Sequence, residues 1–135
     1  MDTSMIGLLI VTHCDLGKEF LKAAEFIVGK MDNVDVVSIT QTSDSEKILK
    51  DIDKKITALN KGKGVIILTD MFGGTPSNLS LSFLQDDMVE VITGVNLPMV
   101  IAIAQNRHEL KLDDLAEKAR EAGKMSISLA GNLIK

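Results

Sequence analysis

Short apolar runs alternate along this chain with longer stretches in which apolar residues recur every three or four positions. The runs fall at 5–11, 34–39, 64–68 and 88–93. They suit buried parallel strands. Between the first two, residues 16–28 place Phe20, Leu21, Ala24, Ile27 and Val28 on one helical face, and Gly29 follows as a stop. Ser43 or Asp44 caps the next helix, which carries Ile48, Leu49, Ile52, Ile56 and Leu59 and ends at Asn60-Lys61-Gly62. Thr75 as N-cap and Pro76 in the first helical position predict a third helix, reaching about Leu84. Asn96 with Leu97-Pro98 opens a fourth in the same way. Asp113 and Asp114 stand in the first turn of a last helix, where Leu115, Ala119 and Ala122 recur before Gly123. Met125-Ser126-Ile127-Ser128-Leu129 then alternates apolar and polar, as an exposed or edge strand does.

Strands separated by helices predict an α/β fold: a doubly wound, mainly parallel sheet in the order 2-1-3-4, flanked by helices, with a short antiparallel edge strand at the C-terminal end. A chain of 135 residues suffices for one domain, 1–135, with its own core. In this order the first and third strands are neighbours, and their connections leave to opposite faces. The crevice at their carboxyl ends is where such folds bind ligands. His13 stands at the end of the first strand, with only Thr12 between it and the apolar run, and Asp70 stands at the end of the third. Topology alone brings them together.

Composition narrows the class of partner. Residues are 45% hydrophobic and 25% charged, but aromatics are only 3%, with no Trp or Tyr, so the core is aliphatic. A net charge of -4 and the lack of a basic cluster interleaved with aromatics argue against nucleic acid. Cys14 is the single cysteine, which excludes an internal disulfide and fits a reducing compartment. The first four residues lack the basic flank of a secretory signal, and the apolar stretch from Leu97 to Ala104 is too short to span a bilayer and contains Pro98. A cytoplasmic protein without membrane insertion is expected.

An imidazole attacks only through an unprotonated ring nitrogen, and a carboxylate bonded to the other nitrogen fixes that tautomer. Asp70 can supply the carboxylate and stabilise positive charge developing on the ring. The turn Asp70-Met71-Phe72-Gly73-Gly74-Thr75-Pro76-Ser77-Asn78 suggests the target. Gly73 and Gly74 let backbone amides approach an anion, Thr75 and Ser77 offer hydroxyls, and a helix begins beside them. Phosphoryl transfer needs mainly alignment and charge stabilisation, so this cradle beside His13 suffices without a metal or other cofactor. Gly-Gly with Thr-Pro is also an ordinary strand-to-helix turn, and no nucleotide P-loop is present. Met71 and Phe72 form an apolar rim suited to docking a partner. His108 lies in a polar connection and is read as an exposed loop residue. A receiver domain phosphorylated on Asp70 would need an acidic pair where Thr12-His13 stands. Cys14 as a hydrolase nucleophile fits poorly, because consecutive residues leaving a strand point apart.

From Ile6 to about Leu129 the chain resembles the IIA component of the mannose-type (mannose/fructose/sorbose) family of the bacterial phosphoenolpyruvate-dependent sugar phosphotransferase system. Ile10-Val11-Thr12-His13 resembles the family's phosphorylation-site strand, residues 70–78 its signature turn, and Gly94-Val95-Asn96-Leu97-Pro98-Met99 its fourth strand-to-helix junction. The turn is closer to the sugar-transport branch than to the branch serving dihydroxyacetone. The resemblance implies a phosphotransferase whose His13 accepts a phosphoryl group from the phosphohistidine of HPr and passes it to a IIB component, with Asp70 orienting the ring. It also implies a homodimer in which the strand around 125–129 pairs at the edge of the partner's sheet. A phosphorylation-dependent regulatory protein of the same fold, without a transport role, is the alternative. Cys14 departs from the family, where a small residue such as glycine commonly follows the histidine; oxidation of a thiol there is a conceivable off-switch.

Overall fold

The computed structural model describes residues 4–134; the other residues of the amino-terminal segment read above for a signal, and Lys135, lie outside the described residues. Four strands, β1 (Gly7–His13), β2 (Val34–Ile39), β3 (Val65–Thr69) and β4 (Val89–Thr93), form one sheet in the order β2-β1-β3-β4. Every neighbouring pair is parallel, with His13 beside Ile39 and Val11 beside Thr69. The helices are α1 (Leu16–Val28), α2 (Ser45–Leu59), α3 (Thr75–Leu81), α4 (Leu97–Asn106), α5 (Leu112–Met125) and the single turn α6 (Ala130–Leu133).

Strand alternation sends the two side-chain sets of each strand into separate cores. Ile6, Leu8, Ile10, Ile66 and Leu68 face α1, α4 and α5, where Ala24, Val100, Ile103, Leu115 and Ala119 close the layer. On the opposite face Leu9, Val11, Val37, Val65 and Ile67 meet Ile52, Ile56 and Leu59 of α2, with Leu79 of α3 at the margin. Helices on both faces of a parallel sheet, in the expected order, make the fold doubly wound. The two central strands, β1 and β3, are buried from both sides, which is why their runs lack alternation, whereas the edge strands β2 and β4 are mostly half-buried and carry Asp35, Ser38 and Glu90.

Some local readings differ. The N-cap of α3 is Gly74, not Thr75; Gly74 is extended at φ −88° and ψ 171°, so Thr75 is already helical. The helix stops at Leu81 rather than near Leu84, because Gln85 and Val89 exchange backbone hydrogen bonds of 3.1 and 2.9 Å and turn the chain into β4. Ile27, placed by periodicity on the buried face of α1, is 58% exposed, since Phe20, Leu21, Ala24 and Val28 already fill that face.

The expected strand at 125–129 is not formed within this chain: Met125 ends α5, and residues 127–129 carry no ladder before α6. A strand needs a neighbour, and this segment has none among the described residues. Its apolar residues are left in solvent, Met125 79%, Ile127 78% and Leu129 73% exposed.

At the amino ends of the strands lies a buried charge. Arg107 caps α4 and is 2% exposed. Its guanidinium donates to the Ile6 carbonyl through Nε (2.9 Å) and Nη2 (2.8 Å), to the Asp32 carbonyl through Nη1 (2.7 Å), and to the Asn33 carbonyl. Burial lowers its pKa to about 10, against the opposing charge of Asp32.

Candidate functional site

The register of β1 against β3 carries His13 and Asp70 to the same carboxyl edge, as the topology requires. His13 is the last residue of β1 and Asp70 the first beyond β3. The Nδ1 of His13 lies 2.8 Å from Oδ2 of Asp70, and the His13 backbone N–H donates to the same oxygen at 3.0 Å. The carboxylate side chain is 11% exposed and the imidazole 46%. Burial works to raise the Asp70 pKa, but the hydrogen bonds from the His13 backbone and ring, with the charge on that ring, outweigh it and hold the carboxyl below its ordinary value. Asp70 is therefore a carboxylate at neutral pH, and it can only accept.

That assignment sets the ring. An acceptor at Nδ1 requires the proton on Nδ1, which leaves the lone pair of neutral His13 on Nε2. The second oxygen of Asp70, Oδ1, is buried without a hydrogen-bond partner among the described residues.

The glycines of the turn serve different ends. Gly73 has φ +90°, a conformation that favours glycine, and a Cβ there would meet nothing within 4 Å. Gly74 is needed for closeness: a Cβ would fall 2.8 Å from Cε1 and 3.3 Å from Nε2 of His13. Only a residue without a side chain lets the main chain lie against the free nitrogen. Thr75 is exposed at the start of α3.

Ser77 is a correction to the expected cradle. It is fully buried on α3, and its hydroxyl has no partner among the described residues, so it is not offered to the surface beside His13. Met71 and Phe72 are 55% and 73% exposed, and Leu16, at the start of α1, is 44% exposed. Leu16 went unread because its periodicity assigns it to a helix, not to a surface. Cys14 is exposed and left-handed at φ +50°, its N–H donating to the Ile39 carbonyl at 2.8 Å. His108 is exposed, away from the other histidine at the far end of α4. Among the described residues no group of three or more His, Cys, Asp or Glu could hold a metal ion, and no helix is long and apolar enough to cross a membrane.

Known proteins resemble this chain in sequence and in fold. The "PTS system mannose-specific EIIAB component" of Escherichia coli K12 is 30% identical over 124 residues, covering 90% of this chain and 38% of that protein, so this chain spans well under half of that relative. The "PTS system sorbose-specific EIIA component" of Lacticaseibacillus casei is 29% identical over 127 residues and is covered to 90%, as is this chain. The crystal structure of the phosphotransferase system component EIIA from Streptococcus agalactiae superposes with a TM-score of 0.86 at 25% identity, over 95% of this chain and 99% of that one. The family model described as "PTS system fructose IIA component" matches residues 7–120, and the chain therefore belongs to that family of sugar phosphotransferase system IIA components.

Proposed function

We propose that this chain is a phosphoryl carrier that takes a phosphoryl group from phospho-HPr onto Nε2 of His13 and hands it to a IIB component. The observation that carries the reading is the bond between Nδ1 of His13 and Oδ2 of Asp70, 2.8 Å long, which leaves Nε2 free beside the Gly74 backbone. In the forward step the Nε2 lone pair attacks phosphorus. The new N–P bond forms as the N–P bond to the donor histidine breaks, and the donor imidazole keeps the electron pair. Positive charge developing on the His13 ring is met by the Asp70 carboxylate. The reverse sequence on the acceptor side returns His13 to its starting state, so no cofactor is consumed.

The surroundings suit a carrier more than an enzyme for a small molecule. The imidazole is nearly half exposed, and the exposed Leu16, Met71 and Phe72 follow closely on His13 and Asp70 in the chain, which is what a donor protein must reach and dock against. Thr75, with the backbone around Gly73 and Gly74, offers donors to the phosphoryl oxygens. The site we assign is thus His13 with Asp70, within one domain acting in the cytoplasm. A phosphoryl relay never touches the sugar, so no residue here is assigned to reading it.

We also propose a homodimer. A groove between β4 and α5, lined by Val91, Met99 and Ala116 with Glu90 and Arg120 and by this chain's own Ile127 at one end, lies beside the free edge of the sheet. The exposed Met125, Ile127 and Leu129 of a second copy supply the apolar, alternating segment such an edge accepts.

The test is incubation with phosphoenolpyruvate, enzyme I and HPr, scoring acid-labile phosphate on wild type and His13→Ala. Labelling of wild type alone is expected, with onward transfer to a mannose-type IIB component. Undiminished labelling of His13→Ala would remove His13 from the mechanism.

A further inference from the structure

Thr12 is the one polar residue between the apolar run and His13, and it is fully buried. Strand alternation points it to the face opposite the imidazole. There its Oγ1 accepts the N–H of Gly17 at 2.8 Å and donates to the carbonyl of Cys14 at 3.3 Å. The two bonds bracket the short turn between β1 and α1.

Three details give this bracket a meaning beyond filling a buried position. Asp15, the residue at the N-cap of α1, makes no side-chain cap bond, so the Gly17 N–H near the helix start is satisfied from the strand instead. Cys14 is left-handed at φ +50°, a conformation that a residue with a side chain keeps only when its neighbours hold it. Gly17 packs so closely on β1 that a Cβ would lie 3.2 Å from Ile10 Cγ2 and 3.3 Å from Thr12 Oγ1. Helix, turn and strand are thus clasped through one hydroxyl, immediately before and after the residue whose N–H and Nδ1 both reach Asp70.

We propose that Thr12 is a positioning residue for phosphoryl transfer: its hydroxyl clasps the β1–α1 turn and thereby aims the His13 ring at Asp70 and at the incoming phosphorus. The proposal rests on His13 being the phosphoacceptor. A ring free to drift from Asp70 loses both its fixed tautomer and its alignment, and misplacement of about 1 Å costs on the order of 100-fold in rate.

The experiment compares wild type with Thr12→Val, which keeps the shape and removes both bonds, and with Thr12→Ser, which restores the hydroxyl. Circular dichroism fixes a temperature at which each is folded. Thr12→Ala, without a methyl against the Gly17 N–H, is held to the same outcomes should Thr12→Val not fold. For transfer from phospho-HPr, kcat falls on the order of 100-fold in Thr12→Val with KM unchanged, and Thr12→Ser recovers the wild-type rate. The 15N spectrum of the His13 imidazole, which needs no phosphoryl donor, reports a shift from the Nδ1–H toward the Nε2–H tautomer in Thr12→Val. A wild-type kcat in the hydroxyl-less variant, a loss that Thr12→Ser does not restore, or an unchanged tautomer overturns the proposal. Failure of the wild type to be labelled would overturn the carrier reading instead, and the 15N spectra would still decide whether Thr12 aims the ring.

Discussion

The two ends of the sheet treat their charged groups in opposite ways. At the amino ends of the strands, Arg107 is 2% exposed and its donors are matched to carbonyls of Ile6, Asp32 and Asn33. At the carboxyl ends, His13 is nearly half exposed, one nitrogen is left open, and Asp70 Oδ1 is buried without a partner among the described residues. A buried charge with its hydrogen bonds made holds a structure together. A paired charge with capacity left over can do chemistry, and in an α/β fold that end is where the connections diverge to make room for it.

The largest break in this comparison comes from exchanging the effects. Arg107→Met takes the guanidinium donors from the carbonyls of Ile6 and Asp32, at about 1–3 kcal/mol each, while the Asn33 carbonyl keeps the Leu8 N–H, so urea unfolding is expected to show a loss of roughly 2 kcal/mol or more. His13 in the molecules that remain folded should still accept phosphate at the wild-type rate. His13→Ala should do the reverse, abolishing labelling at a smaller loss of stability, about 1 kcal/mol, because Asp70 loses the ring bond but keeps the backbone N–H of residue 13. A labelling defect in folded Arg107→Met would show that the ends are coupled.

Gly74→Ala acts next. The extended backbone of Gly74 suits alanine, so strain is not the issue. The added Cβ, 2.8 Å from Cε1 of His13, must displace the ring. Transfer is expected to slow on the order of 100-fold with a small change in stability. A wild-type rate would mean that the turn, not the ring, yields.

Asp70→Asn sharpens the comparison at a single atom. The amide still accepts at Nδ1 but carries no charge to balance the developing imidazolium, so transfer should slow by roughly 10-fold or more. The folded pKa of Asp70 is depressed, so its contribution to stability is fully present above the unfolded value, near 3.8, and is lost as pH falls through the lower folded value. The Asn variant should therefore unfold with a flatter dependence on pH below about 4. Equal acid sensitivity of the two proteins would mean that the carboxylate gains nothing from His13 on folding.

Much of this was legible along the chain. Strand order followed from the alternation of runs and helices, and it placed His13 and Asp70 together before any distance was known. What escaped was settled by tertiary contact. Arg107 lies in a stretch that reads as a polar connection, because its partners are backbone carbonyls that carry no sequence signal. Ser77 reads as a donor from its spacing, yet α3 turns it inward. Thr12 had a signal, a lone polar residue between an apolar run and His13, but its partners lie two and five residues on in a turn whose geometry periodicity does not describe. The segment at 125–129 has the pattern of an edge strand, and a pattern cannot say which chain supplies the neighbour.

The smallest effect is expected at Cys14, directly after His13 at the carboxyl end of the sheet. A residue with a Cβ in the left-handed region costs roughly 1–2 kcal/mol, which the structure carries at φ +50° next to its reactive histidine. Cys14→Gly removes that strain, but glycine gains freedom in the unfolded chain worth about 0.4–1 kcal/mol. The net expectation from these opposed terms is a stabilisation of about 0.5 kcal/mol in urea unfolding. Cys14→Ala keeps the Cβ and the strain and should leave stability unchanged, so the difference between the two variants isolates the backbone from the thiol. Both should accept phosphate like wild type, because the clasp at Thr12 uses the Cys14 carbonyl and not its side chain. Destabilisation by Cys14→Gly would show that the left-handed turn depends on the side chain itself, and the active end of the sheet would then be held as firmly by packing as the end that Arg107 closes.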